Sequence, residues 1–337
     1  MKKKLAVLAA GMMIVSMAVS GCGSSSSSSA SGSSASSAKA EGGASGITVR
    51  LATGGTSGTY YAYGGVVGQV LSEATGAKFD VQSTGASKAN IGLVADGEVD
   101  MAIVQNDVMD YAYNGTDLFD GEKTDNFSSM AACYAEVCQV IANPSAGIET
   151  IADLKGKRVS VGDAGSGVEF NAKQILAAYG VTFDDIDKQN LSFADSANAM
   201  KDNKIDAFFC TAGAPTTAVM ELASTNNIKV LNVDGAEAEK LVADYPFYTA
   251  YTIPKDTYKG MEEDAQTVAV KATLIVSNKL SDDAVYELTK ALFENKADIE
   301  AGHAKGAELD TQYAVEGVSV PFHPGAEKYF KEAGVLE

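Results

Sequence analysis

Apolar and polar residues alternate along Ile47-Thr48-Val49-Arg50-Leu51-Ala52-Thr53, which predicts a β-strand. A turn of glycine, serine and threonine follows at 54–58. Val66, Val67, Val70 and Leu71 then recur at helical spacing. Phe79 to Ser83 reads as a second strand. Ser87 to Ala95 reads as a helix with Ile91 and Val94 on its apolar face. Asp96-Gly97-Glu98-Val99-Asp100 leads into a short buried strand, Met101 to Val104, and Val108 to Tyr113 into a helix. A further strand is expected over Tyr134 to Ile141.

The same order recurs about a hundred residues later. Arg158 to Val161 is a strand, Gly162 to Gly167 a turn, and Val168 to Tyr179 a helix. Asp195 to Lys201 is helical, and Ala207 to Cys210 is a buried strand. Ser57-Gly58 matches Ser166-Gly167 at an offset of 109. Asp96-Gly97-x-Val99-Asp100 matches Asp202-Asn203-x-Ile205-Asp206 at an offset of 106. The pattern predicts two similar α/β lobes, each a mostly parallel sheet flanked by helices. Val268 to Val276, a β-rich run, and the helical Ser281 to Asn295 are expected to return to the first lobe. The division is then 47–139 and 249–337 for lobe 1 and 140–248 for lobe 2, with a hinge at the two crossings.

The chain starts differently. Three lysines and about fifteen mostly apolar residues before a small-residue site form an export signal, and Val19-Ser20-Gly21-Cys22 resembles the lipobox of bacterial lipoproteins, the other reading being an ordinary signal peptide. The apolar run falls short of the roughly 20 residues of a transmembrane helix. Residues 1–21 are expected to be removed, and Cys22 to carry the lipid (palmitate-type acylation). Residues 22–46 are then the acylated cysteine and a Ser/Ala/Gly linker too poor in apolar side chains to fold. This places the domain outside the cytoplasmic membrane, anchored to its outer face.

The formal charge is −18, and loss of residues 1–21 makes it three units more negative. Such a balance argues against nucleic-acid partners. Cys133, Cys138 and Cys210 are expected to be buried small apolar residues. With only His303 and His323, no metal-ligand spacing is present. Nucleotide loops and the nucleophile elbow are absent too. No catalytic set emerges, so the reading is a binding protein without cofactor, not an enzyme, and a monomer.

In sheets of this kind ligands sit beyond the carboxyl ends of the strands. Three turns lie there: Gly55, Thr56 and Ser57; Thr84 to Ser87; Gly165, Ser166 and Gly167. Each precedes a helix, whose first N–H groups and dipole suit a small anion without any basic side chain. Tyr60 and Tyr61 open the first helix and wall the cleft or pack in the core. Gln105 and Asp107 end one strand. Asp107 either pairs with a ligand ammonium or caps the next helix. Glu136 either faces the cleft or is solvated. Thr211, Pro215 and Thr216 hold the place equivalent to Gln105–Asp107 in the second lobe.

Thr53-Gly54-Gly55-Thr56-Ser57-Gly58-Thr59-Tyr60-Tyr61, Ser83 to Ser87, Asp100 to Asp107 and Gly162 to Gly167 resemble the TAXI family, the extracytoplasmic solute-binding subunits of TRAP transporters. Leu154 to Val159, Tyr245-Pro246-Phe247-Tyr248 and His323-Pro324-Gly325-Ala326-Glu327 extend the resemblance over the folded region. The resemblance implies a two-lobed, type II periplasmic-binding-protein-like fold closing on a glutamate-like amino acid or carboxylate. It also implies delivery to a fused TRAP membrane permease. The chain departs from the family's pattern at Asn106, Ala135 and Gln139, all beside the expected pocket. The other reading is a flytrap sensor that presents its ligand to a signalling receptor. A neighbouring gene for a large permease favours transport, and one for a histidine kinase favours sensing.

Overall fold

The computed structural model describes residues 43–337. Cys22, the signal segment and most of the linker lie outside the described residues. The first half of the fold is β1 (Thr48–Ala52), α1 (Thr59–Thr75), β2 (Lys78–Gln82), α2 (Ser87–Asp96), β3 (Met101–Gln105) and α3 (Asn106–Asn114). A long strand, β4 (Phe127–Ala142), leads to the second: β5 (Arg158–Ser160), α4 (Gly167–Ala178), β6 (Asp187–Gln189), α5 (Phe193–Lys201), β7 (Ala207–Ala212) and α6 (Thr217–Thr225). Then come β8 (Lys229–Leu231), α7 (Gly235–Asp244), β9 (Thr249–Ile253) and the second long strand, β10 (Ala265–Ser277). The chain ends with α8 (Asp282–Glu294), α9 (Lys296–Gly302), α10 (Thr311–Val315) and α11 (Pro324–Glu332).

The strand order is β2-β1-β3-β10-β4-β7-β5-β6, with β8 on β4 and β9 on β10. Within it, β2-β1-β3 and β6-β5-β7 are parallel triplets. An antiparallel strand borders each: β10 beside β3, and β4 beside β7. β4 and β10 therefore belong to both lobes. Their mutual register shifts between Ala272 and Thr273 and between Leu274 and Ile275. Such irregularities bend and twist a strand pair, which suits the place where two sheets part company.

Burial follows from this order. β3 and β7, covered on both faces, are buried at every residue. α1 buries Tyr60, Tyr63, Gly64, Val67, Gly68 and Leu71, a stripe at three- and four-residue spacing. Val67 and Leu71 of α1 share one core with Leu288 and Leu292 of α8. Val140, Val159, Ile175 and Phe209 centre a second core in the other lobe. β4 runs seven residues further back than its β-rich part suggests. Met130-Ala131-Ala132 carries no β-branched signal, yet Ala131 and Ala132 pair with β10, Met130 falls at a register shift, and all three are buried. Cys133, Cys138 and Cys210 are free and buried. Cys133 faces the first core and Cys138 the second.

The repeat read from the sequence has a structural counterpart in detail. Arg50, on β1, donates from its backbone N–H and from Nε to Asp100 Oδ2 at 2.9 Å, and from Nη2 to Oδ1 at 2.9 Å. Arg158, on β5, donates to Asp206 in the same three ways, at 2.9, 3.1 and 2.6 Å. Each guanidinium also reaches a carbonyl at a left-handed turn: Gly97 at φ 76° in one lobe, Asn203 at φ 54° in the other. The same bidentate clasp thus ties the first strand of each unit to the turn before the third.

Candidate functional site

Four helices begin at one place between the lobes. The N-terminal residues of α1 and α2 come from lobe 1, and those of α4 and α5 from lobe 2. Around them lies a cavity of about 50 Å³. Gly54, Gly55, Ser57, Gly58, Thr59 and Tyr60 line it from α1 and its turn, and Ala86 and Ser87 from α2. Asp163, Ser166, Gly167 and Val168 come from α4 and its turn, and Ser192 and Phe193 from α5. Gln105, Glu136, Thr211 and Ala212 form the wall from the strand ends. The lining holds two carboxyl groups, Glu136 and Asp163, and no lysine, arginine, histidine or cysteine. Any negative charge bound here must be met by backbone N–H groups, hydroxyls and helix dipoles.

The two lobes touch closely around the cavity. Gln105 fills the space in front of Gly167: a Cβ there would come within 2.2 Å of the Gln105 side chain. With its amide nitrogen turned that way, Gln105 reaches the Gly167 and Asn171 side at 3.2 Å. On the other flank the Thr59 hydroxyl donates to the Gly213 carbonyl at 3.0 Å, and a Cβ at Gly213 would approach Thr59 within 2.9 Å. The Lys88 N–H donates to the Gly165 carbonyl at 3.2 Å. At Gly167 and Gly213 only glycine leaves room for these side chains. The cavity left is far below the roughly 300–1,000 Å³ of a small-molecule pocket. The structure is a closed cleft.

Of the residues proposed from the sequence, Gly55, Ser57, Tyr60, Ser87, Gln105, Glu136, Ser166, Gly167 and Thr211 are brought together on the lining. Thr56, Tyr61, Thr84, Asp107, Gly165, Pro215 and Thr216 are not. Tyr61 is exposed, because α1 turns it away from the buried stripe. The Thr84 hydroxyl lies 3.0 Å from the Thr53 carbonyl and 2.6 Å from Asn90 Oδ1. Gly165 donates its N–H to Glu169. Pro215 follows a cis peptide bond, and Thr216 bonds the Gly213 carbonyl and the Gln139 amide. Asp107 does not cap α3, which begins one residue earlier at Asn106 with Gln105 at its cap. That start turns the carboxylate toward α4, where Asn171 Nδ2 donates to it at 3.0 Å. Asn171 also bonds Tyr248, which donates to Gln174, which in turn donates to Tyr111. This buried chain joins α3 of one lobe to α4 of the other.

Ser192 and Phe193 were not singled out in the sequence. The signal was present: an offset of 106 carries Ser83–Ser87 onto residues 189–193. Ser192 caps α5 by accepting the Asp195 N–H at 3.1 Å.

Burial dominates the electrostatics. Glu136 is 2% exposed, and its Oε2 accepts the Tyr60 hydroxyl at 2.5 Å. Burial pushes its carboxyl up to about 8, against the opposing pull of that hydrogen bond. Burial likewise pushes Asp107 up to about 7, although the Asn171 amide favours its charged form. Asp163, partly buried at the cavity, is raised by burial. Among the described residues no group of three His, Cys, Asp or Glu side chains is placed to hold a metal ion.

The sequence matches the NMT1-like family over residues 51–334, the whole span of both lobes. The chain belongs to the NMT1-like family. Two solved structures share its fold. One is the alkanesulfonate-binding protein SsuA from Xanthomonas axonopodis pv. citri bound to MOPS, 14% identical, with a TM-score of 0.51 over 87% of this chain and 81% of that one. The other is a periplasmic transporter protein, 13% identical, with a TM-score of 0.54 over 86% and 93%. At such identities the likeness is one of fold. The NMT1-like chain has the two-lobed, type II periplasmic-binding-protein fold, and its cavity lies between the lobes at the carboxyl ends of the strands.

Proposed function

We propose that this NMT1-like chain is an extracytoplasmic solute-binding protein that closes on a small organic anion, an amino acid such as glutamate or a carboxylate. The observation that carries the reading is the meeting of four helix N-termini, two from each lobe, on one cavity lined without a basic side chain. A dipole end and its free N–H groups hold an anion, and the hydroxyls of Ser57, Ser87 and Ser166 add hydrogen bonds, while that of Ser192 donates to Asp195 Oδ2. The one hydroxyl–carboxyl pair on the lining is Tyr60–Glu136, and no histidine or lysine base stands there beside a serine or threonine. Binding, not turnover, fits such a lining.

In the closed form the cavity has room for a few waters only. A solute therefore enters when the lobes part about β4 and β10, and it holds them apart by its own volume when they close. The registry shifts between these strands give the bend its place. The finer reading is a TAXI-type subunit serving a TRAP permease, anchored through Cys22. It is supported by the Gly54–Tyr61, Ser83–Ser87 and Gly162–Gly167 motifs, each of which contributes residues to the cavity lining. Division into lobes at 139/140 and 248/249 belongs to the same proposal. The test is mass spectrometry of small molecules released from the purified chain by gentle denaturation. One organic anion in stoichiometric amount is expected.

A further inference from the structure

Glu136 is the only acid on β4, and that strand turns it into the cavity. One of its oxygens is engaged by Tyr60; Oε1 has no hydrogen-bond partner among the described residues and is left for the cavity. The charges around it offer no compensation. Asp107, across on α3, is a second buried acid that acts against ionisation of Glu136. Lys305, after α9, acts in its favour, but its ammonium already lies 2.5 Å from Glu308 Oε1. Tyr134 and Cys138 on β4, Cys210 on β7 and Tyr313 on α10 are themselves held neutral by burial, and Asp163, the other acid on the lining, is raised by burial as well. An ionised Glu136 would be a buried negative charge, bonded by the Tyr60 hydroxyl alone, on a lining that faces an incoming anion.

We propose that Glu136 is a proton-bearing hydrogen-bond donor that admits acidic solutes to the cleft: its Oε2, held by Tyr60, is the carbonyl oxygen, and Oε1 carries the hydrogen toward the ligand. This rests on the solute-binding reading and deepens it, since the solute class becomes anions that bind together with one proton. Below the Glu136 midpoint the proton is already in place. Above it, the anion binds only as a proton is taken up from solvent at Oε1. Helix N-termini then hold the charge of the solute while the neutral carboxyl bonds one of its oxygens. Burial of Glu136, which pushes it up to about 8, agrees with this assignment.

The experiment uses the full chain, stripped of solute, with Glu136→Gln and Tyr60→Phe beside it. Carbon-13 NMR of the glutamate side chains follows Glu136, assigned by its loss in Glu136→Gln, across pH 5 to 10. Calorimetry follows glutarate and L-glutamate over the same range. The expected signal is a neutral carboxyl at pH 6 that titrates near 8, and later in Tyr60→Phe, which removes the bond to the charged form. Glutarate affinity should fall about tenfold per pH unit above the midpoint and be flat in Glu136→Gln, whose amide still donates. A carboxylate already ionised at pH 6 overturns the proposal. So does proton release on L-glutamate binding with a loss above a hundredfold in Glu136→Gln, which would mark an ammonium paired with the ionised acid. If neither probe binds, the ligand-free titration alone decides the protonation of Glu136. A chain that carries and accepts no solute at all speaks instead against the solute-binding reading.

Discussion

The side chain of Gln105, at the end of β3, stands where a Cβ of Gly167 would have to be, at 2.2 Å. One residue belongs to lobe 1 and the other opens α4 of lobe 2, so the contact exists only while the cleft is closed. Gly167→Ala should leave each lobe folded but hold the lobes apart. A larger radius of gyration by small-angle scattering in the presence of solute, with affinity reduced more than tenfold, is the expected result. An unchanged radius would mean that Gln105 simply moves aside.

Ser57 and Ser166 occupy equivalent turns in the two halves of the repeat, and both line the cavity. Replacing both by alanine removes two donors to the anion. Affinity should fall more than tenfold, about 1.4 kcal/mol or more. Ser166 also caps α4 through the Glu169 N–H at 3.4 Å, a long bond, so the stability cost should stay at or below about 1 kcal/mol. Calorimetry and thermal unfolding separate the two effects.

The Arg158–Asp206 clasp serves the fold and lies away from the cavity. Its side chain is 41% exposed, so solvent screening keeps the contribution of the pair small. Arg158→Met should lower stability only slightly in urea unfolding, with solute affinity unchanged within twofold. The Arg158 guanidinium holds Asp206 below the usual carboxylate range. The contribution is therefore present above the usual 3.8 and is lost as pH falls through the lowered value.

Asp107 has the opposite sign. Burial raises its carboxyl from the usual 3.8 to about 7. A raised acid binds its proton more tightly in the folded state than in the unfolded state. The resulting stability is fully present below about pH 4 and is lost as pH rises toward 7. Asp107→Asn keeps a partner for Asn171 without a charge. Calorimetric melting should show the variant close to wild type at pH 4 and more stable at pH 8. A variant destabilised equally at both values would mean that the charge of Asp107 does not oppose the closed α3–α4 contact.

The parallel triplets were legible in the sequence because their strands are short, apolar and bounded by glycine turns. The two units were legible in Ser57-Gly58 against Ser166-Gly167 and in Asp96–Asp100 against Asp202–Asp206, the second match ending on the acids that clasp Arg50 and Arg158. The turns at 54–58 and 162–167 pointed to the cavity for the same reason. Side-chain direction was less legible. Ala135 and Val137 flank Glu136 with apolar residues on a strand packed on both faces, so alternation does not say which way the acid points. Asp107 turned on where α3 starts, and a shift of one residue rotates a helical side chain by about 100°. Ser192 and Phe193 needed the repeat to be applied to a turn whose two copies share no identical residue.

The central claim is that the cleft binds a solute and does not transform it. Calorimetric titration of the stripped full chain with the molecule released from the purified protein tests this most directly. The account predicts saturable binding of one molecule per chain, with heat that ends at saturation and the molecule recovered intact. No saturable binding, or continuing heat with a changed product, would contradict it.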